Sequence, residues 1–382
     1  MFHWFVPPKR NRYSAPLVNR RDSRTRLLLT LATAALAAAA LAVLPAQAGA
    51  KPKTMWGPIT FNGQSMFPTY QDLGVDIYAT TVHWDQVAPS KPLNPTDPTD
   101  PAYKWPDYVD FSISEAQKYG MQILILFRGT PPWANGGQSS RFAANNIQDW
   151  TNFVTALTKK YPGVNLWMVW GEPNRQPNFG PFTASNSAKG PLNKAQQVAP
   201  RTYAQLLDAA YGALKAANPN NKVIGGNTYT SAGKGDINPY AWIRYLKLPN
   251  GSRPRMDYWG HNPYGFHIPN LKDPPSPKGS VAFGDLRRLV KAIDKAFRGQ
   301  RLKLYLAEWG VPIGYKDIDL TYSLKPGEGK KWIRAGFRIA NGFNRIFSLG
   351  WVHPMDTPYS SQGLLDKNGR KKAGYNLYRA QK

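Results

Sequence analysis

The sequence predicts an α/β protein: a (β/α)8 TIM barrel forming a single domain over residues 51–382, behind an N-terminal export segment over residues 1–50. Three observations predict it. From Thr54 onward, short apolar runs alternate with longer amphipathic stretches, the mark of βα units and a parallel sheet. The apolar runs number eight, which a barrel requires. Polar and aromatic residues gather where those runs end, while the run interiors stay aliphatic, and a barrel places its active face at the C-terminal ends of its strands. The chain of 382 residues fits one large domain, and 42% hydrophobic with 13% aromatic content is ample for a core.

The first element in chain order is the export segment. Lys9, Arg10, Arg12, Arg20, Arg21, Arg24 and Arg26 form a basic region, and Leu27 to Leu44 is apolar apart from Thr30 and Thr33. Pro45 stops the run, and Ala46-Gln47-Ala48 has the small-x-small form of a cleavage site. The run is also long enough for a retained single-span anchor. Both readings put the rest of the chain outside the membrane, secreted or anchored.

Strands are expected over Thr54–Phe61, Val75–Val82, Met121–Arg128, Val164–Gly171, Lys222–Asn227, Met256–His261, Leu302–Glu308 and Ile346–Val352. Helices are expected over Asp107–Tyr119, Asn146–Tyr161, Arg201–Ala217, Ala282–Arg298 and Lys330–Phe343. In the fourth of these, Phe283, Leu286, Leu289, Val290, Ile293 and Phe297 recur at three- and four-residue spacing before Gly299. Pro89–Pro106 and Asn174–Pro200 are rich in Pro, Asp, Asn and Ser and read as long loops overhanging the active face. Asp366 to Lys372 reads as a turn before a short closing helix.

The strand ends collect Trp84 on strand two, Arg128 and Trp133 after strand three, and Glu172 and Asn174 after strand four. Asn227 follows on strand five, His261 and Tyr264 on strand six, Glu308 and Trp309 on strand seven, and Trp351 on strand eight. Strands four and seven face each other across a barrel mouth, so Glu172 and Glu308 can meet. Two facing carboxylates are the minimal equipment for cleaving a glycosidic bond, one protonated to donate and one ionised to attack. The residues alone leave the two roles open. The aromatic residues at the rim suit stacking on sugar faces, and all of the residues named in this paragraph other than the two glutamates are candidate substrate ligands.

Trp-Gly-Glu-Pro-Asn on strand four, Ala-Glu-Trp-Gly on strand seven, Thr-Pro-Pro-Trp on strand three and Trp351 together resemble the retaining glycoside hydrolases of clan A, families 5 and 39 most of all. The resemblance covers nearly the whole chain after residue 50. It implies Glu172 as acid/base, Glu308 as nucleophile, Tyr264 orienting the nucleophile and Trp351 flooring the subsite of the attacked sugar. Two positions depart from the family pattern. Gly171 stands where most members have an Asn that holds the sugar 2-hydroxyl, and Ala79 stands where many have an Arg. These departures leave three alternatives: an unusual sugar, replacement of the lost donor by Arg128, His261 or Asn227, or reduced activity.

Other chemistries are excluded or disfavoured. There are no cysteines, so no disulfide, thiolate nucleophile or zinc-thiolate site exists. No His spacing suits a metal, no Gly-rich phosphate loop and no nucleophile elbow occurs, and no cofactor is expected. His83 and His353 read as structural hydrogen-bonders, and Asp317, Asp319 and Glu328 as solvated charges. Residues 1–50 contribute +6 (seven basic residues against Asp22) of the net +26, leaving +20 for the rest. That charge predicts contact with anionic glycans or a cell envelope, and its scattered placement without a recognition motif argues against nucleic acid. The expected partner is a polysaccharide or oligosaccharide substrate, and the expected state is a monomer. A non-catalytic glycan-binding barrel is the alternative function.

Overall fold

Eight parallel strands close into a barrel: β1 (Lys53–Trp56), β2 (Ile77–His83), β3 (Gln122–Arg128), β4 (Leu166–Val169), β5 (Lys222–Tyr229), β6 (Tyr258–Asn262), β7 (Lys303–Leu306) and β8 (Ile346–Trp351). Each pairs with its sequence neighbour, and β1 closes the ring by pairing with both β2 and β8. All eight expected strands are present in the expected order. The computed structural model describes residues 50–182, 191–230, 235–318 and 320–382. The export segment apart from Ala50, part of the loop after the fourth strand, and Asp319 lie outside the described residues.

A helix follows every strand: α1 (Phe67–Asp72), α2 (Asp107–Lys118), α3 (Ile147–Lys160), α4 (Val198–Ala217), α5 (Pro239–Tyr245), α6 (Leu286–Ala296), α7 (Pro326–Gly342) and α8 (Tyr375–Ala380). Each turns an apolar stripe onto the barrel. In α6 the buried positions are Leu286, Leu289, Val290 and Ile293, the three- and four-residue spacing of a single face. Its first expected turn is instead a 3-10 turn over Phe283–Asp285, and Gly299 beyond its end has φ 83°. Asn146 caps α3 by accepting from Gln148 N.

Side-chain parity decides what each strand offers to the mouth. Ile77, Ala79, Leu124, Leu126, Leu166, Met168, Ile224 and Tyr305 point inward and fill the barrel. Their neighbours Tyr78, Ile125, Phe127, Trp167, Val169 and Leu304 point outward to the helices. Because the period is two, His83 and Arg128 follow Ala79 and Leu126 into the mouth, and Trp84 follows Val82 out of it. Register irregularities interrupt the pairing of β8 with β7 between Ile346 and Ser348, and of β5 with β6 between Gly225 and Thr228. A bulge of this kind shifts every later side chain on its strand to the other face.

The two long loops behave differently. The segment 89–106 does not overhang the mouth but runs down the flank of α3. Trp105 stacks on Phe153 at 6.5 Å and meets Tyr161 edge-on at 5.8 Å, while Lys159 Nζ donates to Thr96 O. Its one indole, Trp105, packs into the helical layer together with Tyr103, which is why a polar, proline-rich stretch needs no ligand. The loop after β4 does begin at the mouth. Asp317 is also not a solvated charge. It is fully buried and accepts from Ser360 Oγ, Ser361 N, Gln362 Nε2 and Leu320 N, pinning the β8–α8 loop to the β7–α7 loop. Glu328 is exposed and accepts from Lys325 N at the start of α7.

Candidate active site

The chain leaves β4 through two left-handed non-glycine residues, Trp170 at φ 67° and Glu172 at φ 46°. Such conformations cost about 1–3 kcal/mol each and persist where surrounding contacts enforce them. Here Trp170 is the anchor. Its ring is fully buried, its backbone N–H donates to Phe127 O, and its indole Nε1 donates to Asn178 O over 2.8 Å. Held so, the chain lifts the Glu172 side chain over the barrel mouth. Asn174 then clamps the loop: its Oδ1 accepts from Tyr229 N, and its Nδ2 donates to Ile237 O and Tyr229 O. Asn174 is buried and its amide is fully used by the protein, so it positions the loop rather than a substrate.

Glu172 is richly solvated by side chains. Oε1 accepts from Asn262 Nδ2 at 2.9 Å, and Oε2 accepts from Asn178 Nδ2 at 3.1 Å and Arg175 Nη1 at 3.2 Å. Arg175 is itself fixed, its guanidinium lying over the Tyr229 ring at 4.4 Å and 3.8 Å from Asp236. Glu308 has a poorer shell. It accepts from Tyr264 OH at 3.2 Å, the one hydrogen bond it receives among the described residues. Burial and then the charge of Glu172 push Glu308 up to about 8, against the pull of Tyr264 and Arg175. Burial raises Glu172 as well, opposed by Arg175, Asn262 and Asn178. The two carboxylates therefore share one electrostatic site, and its proton rests on Glu308, the carboxyl with fewer donors. Burial and both carboxylates drive the Tyr264 hydroxyl well above its ordinary value, keeping it a donor.

Arg128 enters the mouth from β3, in register with His83 on β2. Its Nη1 lies 3.6 Å from where a Cβ on residue 171 would stand, so the guanidinium occupies the space beside Gly171. The described residues offer it no hydrogen bond or ion pair at contact distance, while Glu172 and Asp85 attract it from further off. An Arg so placed is a free donor aimed at whatever fills the mouth. Burial and the adjacent Arg128 lower the His83 pKa, with Asp85 pulling the other way.

Several residues expected at the mouth lie elsewhere. Trp84 is buried behind the barrel, stacked on Phe153 at 5.1 Å. Trp133 packs edge-on against Trp84, donates to Ala88 O and sits under Lys91. His261 faces outward, with one ring nitrogen at Thr228 Oγ1 and the other at Val281 O, and burial holds its pKa down to about 4. Asn227, at φ 33° beside the bulge, is fully buried, and its amide has no hydrogen-bond partner among the described residues. Trp309 and Trp351 meet edge-on at 5.5 Å beneath α7 and α8, with Trp351 Nε1 donating to Gln362 O and its ring against Tyr378. Trp351 therefore floors no sugar subsite, because the bulge in β8 turns it outward. Neither His261 nor Asn227 replaces a donor lost at residue 171.

Arg175, Asn178, Tyr229, Asn262 and Trp56 form the site without having been singled out in the sequence. Trp56 is half-buried, points inward at the top of β1, and donates to Ala307 O beside Glu308. Asn262 was one parity step from His261, and strict alternation along β6 finds it. Arg175 and Asn178 belong to an irregular turn whose sequence carries no periodic signal. Among the described residues no group of three or more His, Asp or Glu is placed to hold a metal, and no helix is long and apolar enough to cross a membrane.

No family model matches the chain, and no curated relative does. Solved structures do. A family 39 glycoside hydrolase from the gut symbiont Bacteroides cellulosilyticus WH2 is 15% identical with a TM-score of 0.56, over 86% of this chain and 63% of that one. A glucosidase from Croceicoccus marinus is 14% identical with a TM-score of 0.61, over 87% and 67%. A monomeric beta-xylosidase from Caulobacter crescentus CB15 is 19% identical with a TM-score of 0.58, over 88% and 68%. The chain thus spans about two thirds of the length of these structures. At such identities the likeness shows the fold alone, a (β/α)8 barrel.

Proposed function

We propose that the protein is a glycoside hydrolase that cleaves O-glycosidic bonds by a retaining double displacement. The observation that carries the reading is the pair Glu172 and Glu308, which share one electrostatic site at the ends of β4 and β7 and are joined through Asn262 at the end of β6 and Tyr264 just beyond it. In the first step Glu308 attacks the anomeric carbon while Glu172 gives its proton to the departing oxygen. In the second, Glu172 takes a proton from water, the water oxygen attacks the same carbon, and the ester to Glu308 breaks. Arg128 serves as a hydroxyl ligand of the attacked sugar, and Trp56 as an apolar wall beside Glu308.

The productive form has its proton on Glu172, whereas the shells favour it on Glu308 in the free protein. That observation supports a second reading with the roles exchanged: Glu308 donates and Glu172 attacks. Both readings need one proton on the pair, and trapping the covalent intermediate separates them.

Turnover of a panel of 4-nitrophenyl glycosides and polysaccharides tests the proposal, with Glu308→Gln as control. Turnover abolished in the variant is the expected result. Binding without turnover across the panel overturns it and leaves a glycan-binding barrel. We further propose export through residues 1–50 and retention at an anionic envelope by the excess positive charge. Cell fractionation with a salt wash tests both.

A further inference from the structure

A cavity of about 460 Å³ lies between the β6–α6 loop and the Trp309 and Trp332 side chains, the latter on α7. Its wall is mostly carbon: Tyr264, Phe266, Ile268, Phe283, Trp309 and Trp332. Its volume is that of a small-molecule site. Asp273, the one carboxylate on its wall, already accepts from Asn270 Nδ2. The wall's other polar side chains are Thr230, whose hydroxyl already bonds Tyr264 O and Val281 O, His267, Ser276 and Ser280, so carbon outweighs the hydrogen-bond partners that the hydroxyls of a monosaccharide need. The rim adds exposed apolar surface, with Phe266 64% and Ile268 44% exposed. Tyr322 ties the β7–α7 loop to the β6–α6 loop by donating to Gly265 O, and its ring meets Phe266 at 5.7 Å.

The cavity shares a wall with the reaction centre. Tyr264 lines it and directs its hydroxyl to Glu308 Oε2. We propose that this cavity receives an apolar aglycone, an aryl or alkyl group joined to the sugar through the scissile oxygen. The substrate is then a glycoconjugate with a hydrophobic leaving group rather than an unadorned polysaccharide. The proposal rests on the glycosidase reading for its link to the reaction, while the class of ligand rests on the cavity alone.

Two measurements test it. Ser280 lines the cavity and its side chain makes no hydrogen bond among the described residues, so Ser280→Trp fills the space without removing a contact. Calorimetric titration with 2-naphthol should show binding to the full-length protein that weakens at least tenfold in Ser280→Trp. For the sugar that the panel identifies, the ratio of kcat/KM for the 2-naphthyl and methyl glycosides should fall at least tenfold in the same variant. Phe266→Asp, on the exposed rim, should lower the same ratio and serves if Ser280→Trp fails to fold. Unchanged naphthol affinity, or an equal loss on both glycosides, overturns the proposal. Naphthol binding lost in Ser280→Trp with no glycoside turned over by the wild type leaves the cavity's ligand class standing and rejects the glycosidase reading instead.

Discussion

Tyr264 donates its hydroxyl to Glu308 Oε2 across 3.2 Å, the one hydrogen bond that this buried carboxyl receives among the described residues. Glu172 receives three, one of them from a guanidinium. The imbalance governs where the proton of the pair resides.

Tyr264→Phe removes the donor that favours ionised Glu308, so its pKa should climb beyond the value of about 8. Attack requires the ionised form. The limb of kcat/KM that rises with pH should therefore move to higher pH, with activity at pH 7 falling roughly 10- to 100-fold. A pH–rate profile of wild type and variant checks it; a uniform drop with the limb unmoved would mean that the hydroxyl serves another purpose.

Stability should carry the same signature. Glu308 titrates at about 8 when folded, above its ordinary 4.5, so its contribution is full below pH 4.5 and is lost as pH rises through 8. Glu308→Gln should raise Tm relative to wild type at pH 9 and not at pH 4. His261 runs the other way. Its folded value of about 4 lies below 6.5, so its contribution is present above pH 6.5 and lost as pH falls through 4, about 3 kcal/mol in all. Denaturant titrations at pH 7 and pH 4 should show a smaller difference in His261→Asn than in wild type.

Arg128→Ala should lower kcat/KM about 10- to 100-fold while changing stability by less than about 1 kcal/mol, since no protein partner is stranded. Gly171→Asn should fold, because its φ is not left-handed and a Cβ there meets Leu126 Cδ1 at 3.4 Å and Arg128 Nη1 at 3.6 Å. In the Arg128→Ala background it should recover part of the lost activity. Equal losses for the single and double variants would show that the two positions do not share a role.

Trp351→Ala should cost about 3–5 kcal/mol by emptying a packed site under α8, and leave KM nearly unchanged. Trp56→Ala should do the reverse, raising KM with a smaller loss of stability. Melting curves beside Michaelis kinetics distinguish them. A large KM effect at Trp351 would place it against substrate.

The barrel was legible because eight apolar runs recur with helical stretches between them, and burial enforces that period over the whole chain. Glu172, Glu308, Tyr264 and Arg128 were legible as strand-end residues of the right chemistry. Facing was the weak point. His261 and Asn262 are adjacent, and only alternation from Trp259 tells which enters the mouth. Trp351 stands on the outer face because the bulge in β8 shifts parity, and no residue type announces it. Arg175 and Asn178 sit in an irregular turn held by Trp170 and Asn174, so their approach to Glu172 is a tertiary fact with no local signal.

A double displacement passes through a glycosyl ester on one of the two glutamates, and trapping that ester identifies which. The protein would be incubated with the 2-deoxy-2-fluoro glycosyl fluoride of the sugar that the panel identifies, then digested and mapped by mass spectrometry. Attack by Glu308 should leave one glycosyl unit on the peptide bearing Glu308, with none on Glu308→Gln. A label on Glu172 would exchange the roles of the pair, and a protein that turns over substrate yet never retains a label would contradict the double displacement itself.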